Sequence, residues 1–131
     1  MLNTLILIAA IVAVFVIMGL VKNKGISLVS AEEAKQLMEN SGAMALDVRT
    51  PQEFSEGHLK GAKLIPVAEL GDRIGELDSL KERQIIVYCH SGNRSAAASR
   101  ILGKNGFAKV ANLRGGIMAW NSAGFKTVRG K

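Results

Sequence analysis

From residue 26 onward the chain alternates short apolar runs with amphipathic stretches in a regular order. Ile26 to Val29 reads as a strand. Ser30 follows with Glu33 three positions later, the reciprocal capping pattern that opens a helix, and Ala34, Leu37 and Met38 then share one face. Ala43 to Val48 reads as a second strand, ending in Asp47-Val48-Arg49. Thr50-Pro51 starts a short helix, with proline in the first turn where its missing N–H costs nothing. Lys63 to Ile65 is a third strand stopped by Pro66, and Ala68 to Leu77 a helix interrupted by Gly71 and Gly75. Gln84 to Tyr88 is almost wholly apolar, as a strand buried on both faces must be. Ser95 to Gly103 is an alanine-rich helix, Val110 to Leu113 a fifth strand, and Gly116 to Ser122 a closing helix that carries Trp120. Strand and helix in alternation predict an α/β fold: a mainly parallel five-stranded sheet flanked by helices.

The first fifth of the chain follows another rule. Residues 2 to 21 carry no charge and are almost continuously apolar, and Lys22 and Lys24 come directly after them. Twenty residues at about 1.5 Å each reach about 30 Å, the thickness of a bilayer's hydrocarbon core. No Lys or Arg precedes the run, which favours an uncleaved N-terminal transmembrane helix over a removed secretory signal. The division expected is therefore an anchor over 1–21, a short basic linker over 22–25 and one domain over 26–131, a usual size for a domain. Lys22 and Lys24 flank the C-terminal end of the run, so the positive-inside bias puts the domain on the cytoplasmic side of the inner (cytoplasmic) membrane, single-pass.

Composition narrows the chemistry. The chain of 131 residues has one cysteine, which leaves no intrachain disulfide, and it lacks the Cys or His clustering of a zinc site, so no metal is expected. All 17 basic and 11 acidic residues lie after position 21, and from Ile86 onward there is no Asp or Glu. A domain held at an anionic leaflet tolerates such an excess, and a small anionic substrate would be drawn to it. The basic residues are scattered singly with one Trp and one Tyr, which argues against nucleic acid as a partner.

In open α/β sheets, sites form beyond the carboxyl ends of the strands. Two strands end in charged or reactive residues, one in Asp47-Val48-Arg49 and the other in Cys89. In Cys89-His90-Ser91-Gly92-Asn93-Arg94-Ser95 the lone thiol closes a strand and opens a helix, where backbone N–H groups and the helix N-terminus favour a thiolate. Gly92 permits the sharp turn.

Asp47-Val48-Arg49, then Glu53 to Ala62 with Gly57-His58 inside it, then Ile65-Pro66, then Ile86 to Cys89 with Arg94-Ser95, and last Gly115-Gly116 with Ala119-Trp120 resemble the ordered signatures of the rhodanese (sulfurtransferase) domain. The likeness runs from about Ile26 to Phe125, and an apolar N-terminal segment before one such domain is similar to the small membrane-anchored rhodanese-like proteins of bacteria. The resemblance implies a thiosulfate sulfurtransferase-like enzyme with Cys89 as the catalytic residue. His90, Ser91, Gly92, Asn93, Arg94 and Ser95 would form the substrate pocket, with positive potential from Arg94. Sulfane sulfur would pass from a small anionic donor, thiosulfate or a persulfide, to a thiol, cyanide or protein acceptor through a Cys89 persulfide, without a cofactor. Related phosphatases and arsenate reductases of this fold place five residues between Cys and Arg. Four intervene in this chain, His90 to Asn93, and the resemblance therefore implies a pocket too small for phosphate.

Asp47 and Arg49 are expected to form a clamp that orders the rim, and His58 to fix its turn by hydrogen bonds, so all three support the site instead of reacting. Besides the enzyme, one other function is open: a non-catalytic rhodanese-like module that holds a protein partner at the membrane. The lipid bilayer is the expected partner of residues 2–21.

Overall fold

The computed structural model describes residues 2–24 and 26–131, with side chains described at 3–17 and 26–131. In chain order the elements are α1 (Leu2–Lys24), β1 (Ile26–Val29), α2 (Ala31–Asn40), β2 (Met44–Asp47), α3 (Pro51–Glu56) and β3 (Lys63–Leu64). They continue with α4 (Val67–Arg73), a 3-10 helix (Ile74–Leu80), β4 (Ile85–Tyr88), α5 (Asn93–Lys104), β5 (Val110–Leu113) and α6 (Gly116–Ser122). The five strands form one sheet in the order β1-β5-β4-β2-β3, every pair parallel, as the alternation of elements predicts.

β4 is the spine of the sheet, and alternation along it divides the core in two. Ile86 and Tyr88 point to one side, where Ala34, Ile117 and Trp120 of α2 and α6 pack with Leu59 and Leu113. Ile85 and Val87 point to the other, against Leu70 of α4, Leu77, and Ala98 and Leu102 of α5, together with Cys89. All four residues of β4 are fully buried, which is why its sequence shows no polar alternation.

The predicted capping box opens α2: the Ser30 hydroxyl accepts the Glu33 N–H at 3.1 Å and the Glu33 carboxylate accepts the Ser30 N–H at 3.2 Å. Thr50 and Glu53 repeat it at the start of α3, both contacts at 3.2 Å.

Several boundaries differ from expectation. The stretch over Ala68–Leu77 is two elements: α4 runs through Gly71 unbroken, then tightens into the 3-10 helix, which contains Gly75 and continues to Leu80. Helix α5 starts at Asn93, two residues before Ser95, because Gly92 at φ 119° supplies the turn immediately before it. β2 and β4 are shorter than their apolar runs, since Ala43, Val48 and Gln84 lie beyond the ladder.

The segment expected to be an anchor is helical, and its large apolar side chains from Leu5 to Ile17 are 48–70% exposed all round the helix. Among the described residues, no helix is long and apolar enough to cross a membrane. The fifteen side chains described there cover about 22 Å at 1.5 Å per residue. The side chains of residues 18–21, which would complete a span, and those of the basic linker over 22–25 lie outside the described residues.

Candidate active site

Parallel strands put all their carboxyl ends at one rim, and Asp47 and Cys89 meet there through the register Asp47↔Tyr88. The Val48 N–H donates to the Tyr88 carbonyl at 3.1 Å and ties the two exits together.

Cys89 is 1% exposed and packs with the apolar cluster under α5, so burial alone would make it an inert hydrophobe. Its sulfur is nevertheless met by polar groups. The Gly92 N–H donates to Sγ at 3.1 Å, and the Ser95 hydroxyl lies 3.4 Å from it. Burial pushes the thiol up. Opposing that, the Ser95 hydroxyl and the N–H groups of Ser95, Gly92 and Ser91 together pull it down, and it ends below its ordinary value. Among the described residues the Gly92 N–H is the one backbone amide that hydrogen-bonds the sulfur and the Ser95 hydroxyl is its other partner, so the expected ring of amides reduces to one close amide, a hydroxyl and more distant dipoles.

Helix α6 holds this loop open. The Ile117 N–H donates to the Cys89 carbonyl at 2.9 Å and the Met118 N–H to the His90 carbonyl at 3.2 Å. With both carbonyls turned toward α6, the amides after them are free to face the sulfur. The approach is close enough to require glycine at 116: a Cβ there would lie 2.5 Å from both carbonyl oxygens, and φ is +60°. Gly116→Ala is expected to cost about 2–3 kcal/mol, through its left-handed backbone and the displaced loop. The same variant links stability to chemistry. Wild-type iodoacetamide alkylation, plotted against pH, should reach half-maximum below the ordinary thiol value of about 8.5, because the thiolate is the nucleophile. In Gly116→Ala and in Ser95→Ala the midpoint should move up in pH, each having lost part of what stabilises the thiolate.

Asp47 and Arg49 form the expected clamp, and both are buried. Arg49 Nη2 and Nε reach the carboxylate at 2.7 and 3.0 Å, and Nη2 also donates to the Gly57 carbonyl at 2.6 Å, pinning the turn that holds His58. Burial lowers the affinity of Arg49 for its proton, but the hydrogen bonds and charge of Asp47 raise it further. His58 stacks on Phe54 with ring centroids 3.6 Å apart, and its Nδ1 lies 2.8 Å from the Phe54 carbonyl. It is 5% exposed, and its backbone pairs with Val128.

His90, Ser91 and Asn93 are exposed. His90 lines a cleft of about 440 Å3 with Arg49, Glu53, Glu56, Ile117, Asn121, Thr127 and Arg129.

Arg94 serves two partners. Its guanidinium is held by Glu53 through two contacts, at 2.7 and 3.0 Å, and its charge is still felt at Cys89. The Arg94 contact, with the N–H and hydroxyl of Thr50, keeps the Glu53 carboxyl at about 2, well below the usual carboxylate range. The acid-free C-terminal half therefore does not make an acid-free site, because the fold brings Glu53 and Glu56 to it from α3.

Sequence reasoning missed two further participants. Glu53 closes its own helix cap and gives no sign of a partner 41 residues away. The C-terminal strip returns across α3, with the Gly130 N–H on the Ser55 carbonyl at 2.9 Å, and has no strand pattern to announce it. Among the described residues, no group of three or more His, Cys, Asp or Glu could hold a metal ion.

The rhodanese-like domain family model matches residues 30–123. The chain is 35% identical over 95 residues to a protein of Allochromatium vinosum named a sulfurtransferase, covering 72% of this chain and 87% of that one. It is 36% identical over 94 residues to a thiosulfate sulfurtransferase, GlpE, of Pseudomonas aeruginosa, with 72% and 83% covered. With the uncharacterized protein YibN of Escherichia coli K12 it shares 31% identity over 125 residues, 95% of this chain and 87% of that one. The crystal structure of a rhodanese-related protein from Thermoplasma volcanium superposes with a TM-score of 0.71 at 29% identity, over 78% of this chain and 97% of that one.

Proposed function

This chain belongs to the rhodanese-like domain family, and from that premise we propose that it is a membrane-anchored, single-domain sulfurtransferase that carries sulfane sulfur on Cys89. The observation that carries the reading is a buried sulfur held by the Gly92 N–H at 3.1 Å and the Ser95 hydroxyl at 3.4 Å, with its proton affinity lowered. Those contacts suit a thiolate, and equally the persulfide anion that follows it, without reorganisation during the reaction.

The Cys89 thiolate attacks the outer sulfur of thiosulfate. The S–S bond breaks, sulfite leaves with its electron pair, and Cys89 holds a persulfide. In the second half-reaction cyanide or a thiolate attacks that outer sulfur, takes it as thiocyanate or a new persulfide, and releases the Cys89 thiolate. Charge and electrons balance over the two displacements, so no cofactor enters. The loop residues His90 to Ser95 form the pocket, and the spacing of four residues between Cys89 and Arg94 speaks for sulfur over phosphate. Asp47, Arg49 and His58 hold the rim in shape.

Residues 2–21 serve as the anchor and the domain over 26–131 faces the cytoplasm. Support comes from a helix whose apolar side chains are exposed all round, a surface that water disfavours and a bilayer accepts, and from Lys22 and Lys24 after it. The alignment with the Escherichia coli relative leaves only 5% of this chain uncovered and so extends into this segment.

The test is intact-mass measurement of the full chain in detergent after incubation with thiosulfate. A gain of one sulfur atom, lost again on adding cyanide, is expected. No adduct at any donor concentration would leave the domain as a module that binds a protein partner at the membrane.

A further inference from the structure

The rim of the sheet opposite Cys89 carries its own chemistry. The pairings Ile26↔Val110, Ile85↔Val110 and Met44↔Ile85 set the first residues of β1, β5, β4 and β2 level with one another. Only residue 25 separates α1 from β1, so an anchor formed by α1 delivers the domain to the bilayer by this rim. Cys89 follows the last residue of β4, about 13 Å farther along four residues of strand.

The side chains at this end are mostly basic. Arg100 and Lys104 of α5 line a groove with Ile26, where the anchor enters. Lys109 precedes β5, and its carbonyl accepts the Ile85 N–H at 2.9 Å. Arg83 Nε donates to the Gly42 carbonyl at 2.8 Å beside the start of β2. Against these stand Glu82 and Asp78, the latter 3.6 Å from Lys81. Arg100, Lys104 and Lys109 have no ion-pair partner among the described residues. Ile26 and Leu28 of edge strand β1 add exposed apolar surface, Leu28 at 51%.

We infer that this basic rim docks on the anionic headgroups of the bilayer and holds the domain upright, with the Cys89 loop and the cleft beside His90 turned to water. The inference rests on the reading of α1 as an anchor. Charge complementarity and the short linker over 22–25 argue for headgroups over any soluble polyanion, because the linker keeps the rim at the surface while a soluble competitor must be recruited. Sulfur donors and acceptors then arrive from the aqueous side as soluble ions, thiols or proteins.

The test uses the full chain in lipid nanodiscs doped with a gadolinium-chelating lipid, read as amide line broadening. With phosphatidylglycerol present, the amides of Gln84, Ala108 and Lys109 should broaden at least about tenfold more than those of Ser91 and Gly92, given the strand length between them. Replacing phosphatidylglycerol by phosphatidylcholine, or making the triple variant Arg100→Gln/Lys104→Gln/Lys109→Gln, should reduce that contrast at least about threefold, as expected for charge-driven docking. All three side chains are on the surface, and the amide spectrum itself reports that the variant is folded. Equal broadening at both rims, or a contrast indifferent to lipid charge and to the triple variant, overturns the inference while leaving the anchor intact. A chain that never incorporates into the discs overturns both. Saturable shifts of the Lys104 and Lys109 amides on adding a DNA oligomer to the phosphatidylglycerol discs, with no effect of lipid charge, would assign the rim to nucleic acid instead.

Discussion

Cys89→Ser is expected to abolish persulfide formation and to lower thiocyanate production from thiosulfate and cyanide by at least about a thousandfold, the scale of losing a covalent nucleophile. The fold should survive the change. A serine hydroxyl at this position can accept the Gly92 N–H and bond with Ser95, so the new polar group is not buried without partners. What it cannot do is ionise near neutrality, and a hydroxyl is no nucleophile toward sulfur without a base. Around the Cys89 sulfur no carboxylate or imidazole is in contact among the described residues, so nothing is placed to take that proton. The measurement pairs turnover with thermal melting: activity lost with a melting temperature within a few degrees of wild type assigns the chemistry to the sulfur. Retained turnover, or an unaltered sulfur adduct by intact mass, would place the reacting group elsewhere.

The elements and their order were legible because each has a local cause. Ser30 and Glu33 cap α2 wherever the helix lies, and a strand buried on both faces must be apolar throughout, as Ile85–Tyr88 is. Asp47 and Arg49 announced their clamp because they are two residues apart at a strand exit. The errors came where two distant segments set the outcome. That Arg94 is paired with Glu53 could not be read locally, because only the packing of α3 against the start of α5 brings them together. The path of the Cys89 loop is set by α6, whose Ile117 and Met118 N–H groups take the Cys89 and His90 carbonyls, a pairing across 28 residues that no local pattern encodes. Gly71 and Gly75 misled in the opposite sense: they read as breaks, yet α4 passes through one and the 3-10 helix through the other. Glycine weakens a helix by only about 1 kcal/mol, and Leu70 and Leu77, both fully buried, outweigh that.

The largest stability effect belongs to the clamp. Arg49→Ala leaves Asp47, which has no exposed surface, without its cation, with the N–H of residue 49 at 2.9 Å and the neighbouring Tyr88 hydroxyl as what remains beside it. It also frees the Gly57 carbonyl, which Nη2 binds at 2.6 Å. Removing one partner of a buried ion pair costs about 3–5 kcal/mol, because the other charge stays buried without compensation. For a domain of this size that lowers the melting temperature by on the order of 10–20 °C. Asp47→Asn strands the Arg49 guanidinium and should cost a similar amount. The double variant Asp47→Asn/Arg49→Met should cost clearly less than the sum of the two single changes, since neither charge is then left alone. Sulfur transfer should suffer through the turn before the chemistry does: as Gly57 and His58 loosen, the cleft wall lined by Arg49, Glu53 and Gly57 loses its shape and KM rises before kcat falls. Additive losses across the cycle, or a single variant that melts like wild type, would show that the rim is held by something other than this pair.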